Sequence, residues 1–300
     1  MTGMETKNDL SESGRRFPTG GNVSNMLTFD IEEWFHANYS GTVAHHTGKD
    51  SNFRANMDTI LRLCSETGSK ATFFVLGWIG ERYPDVVKAI AREGHDVASH
   101  GYAHELAYKQ SIQEFHDDVK KSVVILEDLT GTKVIGYRAP SWSIVESNLH
   151  YLEVLEELGM KYDASIFPVK TFLYGIPDAP TDIHHPRING RKLNLYEVPM
   201  SVMKLSGRNI GYSGGFYFRF FPKFLIKSAI RAANRRGKSS IVYLHPREID
   251  ASEQRLKLPY KEYFIHYYNV HNTKAKLEEI LKSFHFTSIA DYLQRHYGLA

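Results

Sequence analysis

Read for apolar and polar positions, the chain alternates short unbroken hydrophobic runs with longer segments of helical period. The run at 27–31, then 70–76, 96–99, 134–137, 161–163, 195–199 and 239–244 carry little polar alternation. That is the pattern of parallel strands covered on both faces. Between them lie segments with helical spacing and helical punctuation. These are 58–67, a helix from about residue 84 with Pro84 at an early position and Gly94 beyond its end, and Ser111 to Gly131, which opens with the capping-box signature of Ser111 and Glu114. Further helices are expected at 149–158, 221–235, 273–284 and 288–297, and a long proline-rich loop at 167–191. Repeated strand and helix in this order predict an α/β fold with a parallel sheet, open or closed into a barrel.

The polar residues interrupting this pattern fall at predicted strand ends. Asp30, His100, Arg138, Asp163 and His245 each stand at or just past the C-terminus of a different strand, the edge where α/β folds build sites. The first strand is the richest: residues 27–36 run apolar and then deliver Asp30, Glu32 and Glu33 among aromatics. Such a cluster also suits a helix N-terminus, but carboxylates packed with Phe and Trp are more often paired or metal-bound. His100 and His104 are four apart, a spacing that puts two imidazoles on one side of a turn. With a carboxylate they make a two-His, one-carboxylate site with open positions. On an ideal strand Asp30 and Glu32 share a side and Glu33 points away, which leaves the carboxylate of the set to be chosen among these acids.

Composition narrows the partners. Across 300 residues, 37 basic and 34 acidic side chains leave a charge of +3, with no long basic run, so nucleic acid is not indicated. The single cysteine, Cys64, excludes an internal disulfide and reads as a core residue. No stretch reaches the roughly 18 apolar residues of a membrane span and no signal-peptide pattern is seen, so a cytoplasmic protein is expected. Residues 1–25 read as a disordered leader, with 26–300 as one catalytic domain whose helical extension covers about 250–300. Assembly into a homo-oligomer is left open. Two histidine pairs, His45 with His46 and His184 with His185, have no third ligand nearby and read as loop residues.

Thr28-Phe29-Asp30, Ser99-His100 with His104, Arg138-Ala139-Pro140, Asp163 and Leu244-His245, in that order, resemble the motifs of the polysaccharide deacetylases, the NodB-homology carbohydrate esterases. The resemblance implies an irregular (β/α) barrel of about seven parallel strands that removes acetyl groups from sugars with a divalent metal, commonly Zn2+, with Co2+, Ni2+ or Mn2+ as alternatives. Asp30 would be the general base, paired with Arg138; Glu32, His100 and His104 the metal ligands; His245 the acid, held in one tautomer by Asp163; and the N–H of Ser141 an oxyanion donor. Trp34, His36, Trp142, Tyr217, Phe218 and Arg219 are candidates to line a sugar groove. Residues 214–222, 245–250, 266–269 and 284–288 resemble a subgroup associated with bacterial exopolysaccharide, capsule or O-antigen assembly. The implied substrate is an N-acetyl sugar, nucleotide- or lipid-linked. The common pattern has two adjacent aspartates, and here Ile31 stands in the second place. A related variant puts the ligand two residues after the base, where Glu32 lies on the same side as Asp30, with Glu33 as the reserve. The chain departs further in Ser141, Trp142, Phe167 and Tyr243. A hydrolase of another C–N bond, allantoinase-like or imidase-like, and a non-catalytic glycan-binding subunit are the competing expectations.

Overall fold

The structure, a computed structural model, describes residues 23–36, 38, 51–171, 174–252 and 255–299. The expected leader, up to residue 22, and the pair His45 and His46 lie outside the described residues.

The sheet strands are β1 (Asn25–Ile31), β2 (Thr72–Val75), β3 (Asp96–Ser99), β4 (Gly136–Tyr137), β5 (Tyr162–Asp163), β6 (Tyr196–Glu197), β7 (Ile241–Leu244) and β8 (Phe286–Thr287). Seven of them follow the path β7-β1-β2-β3-β4-β5-β6 with every pairing parallel, and β8 adds to β1 at Asn25 and Met26. The result is a curled half-barrel. Its gap between β6 and β7 is bridged by the following segment, where Met200 N–H donates to Ile166 O, Ser201 Oγ accepts from Ile241 N, and Ser213 O accepts from Tyr243 N. An antiparallel hairpin, Val202–Leu205 with Arg208–Gly211, projects from that bridge.

Strand alternation divides the interior into two layers. Leu27, Phe29, Ile31, Phe73, Val75, Val242 and Leu244 face outward. They pack on α1 (Phe53–Glu66), α3 (Pro84–Arg92), α7 (Lys223–Arg235) and α9 (Thr273–Ser283); α2 (Gly77–Arg82), α4 (Ile112–Thr130), α5 (Tyr151–Glu157), α6 (Gly215–Phe220) and α8 (Tyr260–Tyr267) lie between these in the chain. Each such side chain withdrawn from water contributes about 1.5–3 kcal/mol. Met26, Phe74, Ala98, Tyr162, Ile241 and Tyr243 form the inner layer. At the strands' N-terminal ends it is closed by α10 (Ile289–Tyr297), whose first N–H donates to Thr72 Oγ1.

The expected helices are present with shifted ends. The capping box of α4 is formed, Ser111 Oγ accepting from Glu114 N at 3.3 Å, and the helix stops on Gly131 at φ +67°. Three elements differ from expectation. The strand expected at 134–137 pairs only over Gly136–Tyr137, and the loop at 167–191 ends in a small antiparallel pairing of Arg187–Ile188 with Arg191–Lys192. The helical C-terminal extension also contributes β8, so it is built into the sheet rather than laid outside it. Among the described residues, no helix is long and apolar enough to cross a membrane.

Candidate active site

Parallel strands deliver their C-terminal residues to one mouth, and the candidate residues meet there. Glu32, His100 and His104 are all buried, with one ligand atom from each lying within 4.8 Å of the others. His104 Nε2 lies 2.6 Å from Glu32 Oε2. His100 Nδ1 donates to Arg138 O at 2.7 Å, which leaves Nε2 turned to the cluster, the carbonyl support that orients metal-bound imidazoles. Asn38 reaches His104 Nδ1 at 3.1 Å and donates to Ser141 Oγ at 3.3 Å. Two imidazoles and one carboxylate without a thiolate are the donor set of a catalytic rather than a structural zinc site, so the residues present fit a single divalent ion.

It is Glu32, not Glu33, that meets the histidines. Glu33 turns away as alternation requires and accepts from Tyr83 Oη at 2.5 Å and Ser51 Oγ at 2.6 Å. Burial alone would push the Glu32 carboxyl up; His104, Arg247 and His245 outweigh it and hold the group well below the usual carboxylate range. The Arg247 guanidinium bonds Glu32 directly and also donates through Nε to His266 Nε2 at 3.2 Å. Burial pushes the His100 imidazole down to about 4 and that of His36, whose ring lies 5.9 Å from His104, down to about 3.

Asp30 sits one alternation step inside Glu32. Its Oδ1 accepts from Arg138 Nη1 at 2.7 Å, and the fully buried Arg138 also donates to Thr28 Oγ1 and Ala164 O and lies over the Phe74 ring. Oδ2 faces His245, whose Nε2 is 4.0 Å away and stands 3.7 Å from Glu32 Oε1. Asp30 and His245 therefore flank the cluster.

Three expectations are corrected here. Asp163 does not hold His245: His245 Nδ1 meets Glu248 Oε2 at 2.7 Å, while Asp163 accepts from Ser165 Oγ at 2.6 Å and Ser165 N at 3.0 Å and faces Glu197. Glu248 follows His245 by three residues in a turn, a spacing legible as a cap but not as a partner. Arg219, expected in the groove, is 3% exposed; it donates to Glu248 Oε1 at 2.6 Å. Phe218 is a core residue of the outer layer. Trp142 is buried as a wall, its ring 4.6 Å from Tyr243, whereas Tyr217 is half-buried and near Phe167. Ser141 and Trp142 take φ +51° and +49°, left-handed backbone that ordinary side chains rarely adopt. Across the mouth Gly214 is obligatory: a Cβ there would lie 1.7 Å from Tyr243 Cδ1.

His184 and His185 do not join the cluster, His185 stacking on Tyr196 at 4.1 Å. Cys64 is buried, its thiol pushed up to about 12 by desolvation.

Fold and site together define a class: a parallel half-barrel with a two-His, one-carboxylate centre set between an arginine-paired aspartate and a carboxylate-paired histidine. Residues 23–162 match the polysaccharide deacetylase family model, and residues 164–294 match a domain of unknown function (DUF3473). Over the first of these segments, just under half of its length, the chain is similar to the polysaccharide deacetylases. It is 29% identical over 159 residues to a peptidoglycan deacetylase-like protein of Gibberella zeae, covering 49% of this chain and 46% of that one. It is 31% identical over 151 residues to a peptidoglycan deacetylase of Helicobacter pylori, covering 47% and 50%. The chain thus spans about half the length of these curated relatives. Among solved structures, a Mycobacterium smegmatis protein described as a polysaccharide deacetylase superposes with a TM-score of 0.57 at 17% identity over 95% of this chain and 97% of that one. At that identity the likeness concerns the fold. The segment of unknown function contains β6, β7 and β8 and supplies His245, Arg247, Glu248 and Arg219. It is the second half of one barrel.

Proposed function

We propose that residues 26–300 form a single metal-dependent deacetylase that hydrolyses the N-acetyl group of a sugar polymer or its nucleotide- or lipid-linked precursor in the cytoplasm, in bacterial surface-polysaccharide assembly. The observation that carries the reading is the placement of the Glu32, His100 and His104 cluster between Asp30 and His245. A divalent ion held by those three residues, zinc by donor type, would polarise the acetyl carbonyl and acidify water. Asp30 takes the proton from the attacking water, and Arg138 keeps its carboxylate aimed. His245 Nε2 donates a proton to the departing nitrogen, so that an amine leaves instead of an amide anion. The Ser141 N–H is assigned to the developing oxyanion. Trp142 and Tyr217 shape the wall on which the sugar rests. The names of the relatives support a glycan substrate, and the motifs at 214–222 and 245–250 support the exopolysaccharide setting.

The test is acetate release from N-acetylated glucosamine oligomers, with metal content measured on the same sample. About one zinc or similar ion per chain, and acetate release abolished by chelator and restored by metal, are expected. Turnover of ureides or cyclic imides without acetate release would overturn the substrate class, and glycan binding with neither metal nor hydrolysis would overturn the enzyme.

A further inference from the structure

In the proposed reaction His245 must present its Nε2 proton to the leaving nitrogen, so something must fix its ring and leave Nδ1 as the other N–H. We propose, resting on that reading, that Glu248 is the positioning residue of His245 and that Arg219 and the C-terminal helices hold Glu248 in place. One carboxylate oxygen, Oε2, takes both the backbone N–H of His245 at 3.0 Å and its ring Nδ1 at 2.7 Å. The other, Oε1, takes Arg219 Nε at 2.6 Å. Arg219 in turn donates Nη1 to Tyr268 O at 2.7 Å and Nη2 to Ile265 O at 2.9 Å. Asn269 Nδ2 and Lys276 Nζ donate back to Arg219 O at 2.9 and 3.1 Å. Glu248 and Arg219 are 1% and 3% exposed, so neither rotates freely in water.

The pairing is closed on both sides. Asp163, the other candidate, has its oxygens occupied by Ser165 and Glu197. The ion pair, the turn Pro246–Glu248 and the carbonyls at the end of α8 form one connected support reaching the imidazole from behind. The segment matched only as a domain of unknown function thereby acquires a defined chemical role, which is to aim the acid.

Glu248→Gln separates positioning from bulk structure. An amide has one acceptor oxygen where the carboxylate has two, and the buried Arg219 charge draws it. The NH2 then faces His245 Nδ1, which must accept, and the ring is driven into the opposite tautomer. The experiment uses the full, zinc-loaded chain labelled with 15N, following the hydrogen-bonded imidazole Nδ1–H proton, assigned by its disappearance in His245→Gln. The resonance is expected to vanish in Glu248→Gln and to survive in Asp163→Asn. On N-acetyl substrates Glu248→Gln lowers kcat about 10²-fold with KM nearly unchanged, but it lowers cleavage of an aryl acetate, whose leaving group needs no proton, less than about 5-fold. Should Glu248→Gln not fold, Glu248→Asp keeps the charge one methylene shorter and is expected to weaken the resonance and give an intermediate loss. A resonance that survives Glu248→Gln, or is lost in Asp163→Asn instead, overturns the proposal; so does an equal fall on amide and ester. If the wild type releases no acetate, the deacetylase reading fails while the imidazole resonance still decides the pairing.

Discussion

Two pairs of acids lie at strand ends of the same barrel and live by opposite rules. Asp30 and Glu32 are met by basic side chains: Arg138 on one, Arg247 and the His104 imidazole on the other. Asp163 and Glu197, adjacent on β5 and β6, share a register position and a fully buried site. Their strongest hydrogen-bond donors are the hydroxyl and N–H of Ser165 and the N–H of Ile166. Burial pushes both carboxyls up, Glu197 well above the usual range, so the pair keeps a proton between them. That proton also gives Glu197 Oε2, otherwise without a partner among the described residues, a bond to make. Neighbouring basic side chains, not the acids themselves, distinguish the pair at the mouth from the pair that is part of the scaffold.

Removing a ligand from the charged pair is the severest test. Glu32→Gln or His104→Ala is expected to drop bound metal from one ion per chain to near zero and acetate release by 10³-fold or more, on the order of 4 kcal/mol of transition-state stabilisation. Arg138→Met leaves Asp30 buried without its partner and is expected to cost about 3–5 kcal/mol of stability, read by denaturant unfolding. The scaffold pair should respond in the other direction. In Glu197→Gln the amide oxygen still accepts from Ile166 N and the NH2 donates to Asp163. The folded wild type retains a proton that the unfolded chain releases once pH passes the ordinary glutamate value of 4.5, so wild-type stability falls as pH rises from there through the raised folded pKa. The variant's melting temperature should therefore match wild type at pH 4 and exceed it by a few degrees at pH 8; an advantage that shrinks as pH rises would refute the shared proton. The mildest change is Glu33→Gln, which loses one of two hydroxyl partners, costs about 1–2 kcal/mol, and leaves metal stoichiometry unchanged.

Much of the charged half was legible in the chain. Period-two alternation put Asp30 and Glu32 on one side and Glu33 on the other, and the His100 to His104 spacing stands in a turn fixed by the strand before it. Such positions follow from backbone geometry alone. Asp163 has the same appearance in sequence, an acid at the end of a strand, yet its partner Glu197 lies 34 residues on and is brought close only by β5 pairing with β6. Arg219 looked like a groove residue beside Tyr217 and Phe218, because one short helix presents them in succession without showing which side faces the core. Its function depends on carbonyls at Ile265 and Tyr268, a meeting of distant segments that no local pattern encodes. The hairpin at 202–211 and α6 were missed for a related reason: they bridge the barrel gap and take their shape from both edges.

The place of β1 gives the barrel a timetable. One edge of β1 pairs with β2, some forty residues downstream, and at its first residues with Phe286–Thr287, while the other edge pairs with Ile241–Leu244. During synthesis the metal-type cluster can gather once β3 has emerged, while the strand that brings His245 is the seventh to be made and the stretch that steadies it comes later still. Loop closure over such a span is slow, and until it is complete the first strand keeps an open hydrogen-bonding edge. A ribosome-stalled chain ending near residue 165 would carry Glu32, His100 and His104 and lack His245, and protease sensitivity along β1 should persist until about residue 290 is released.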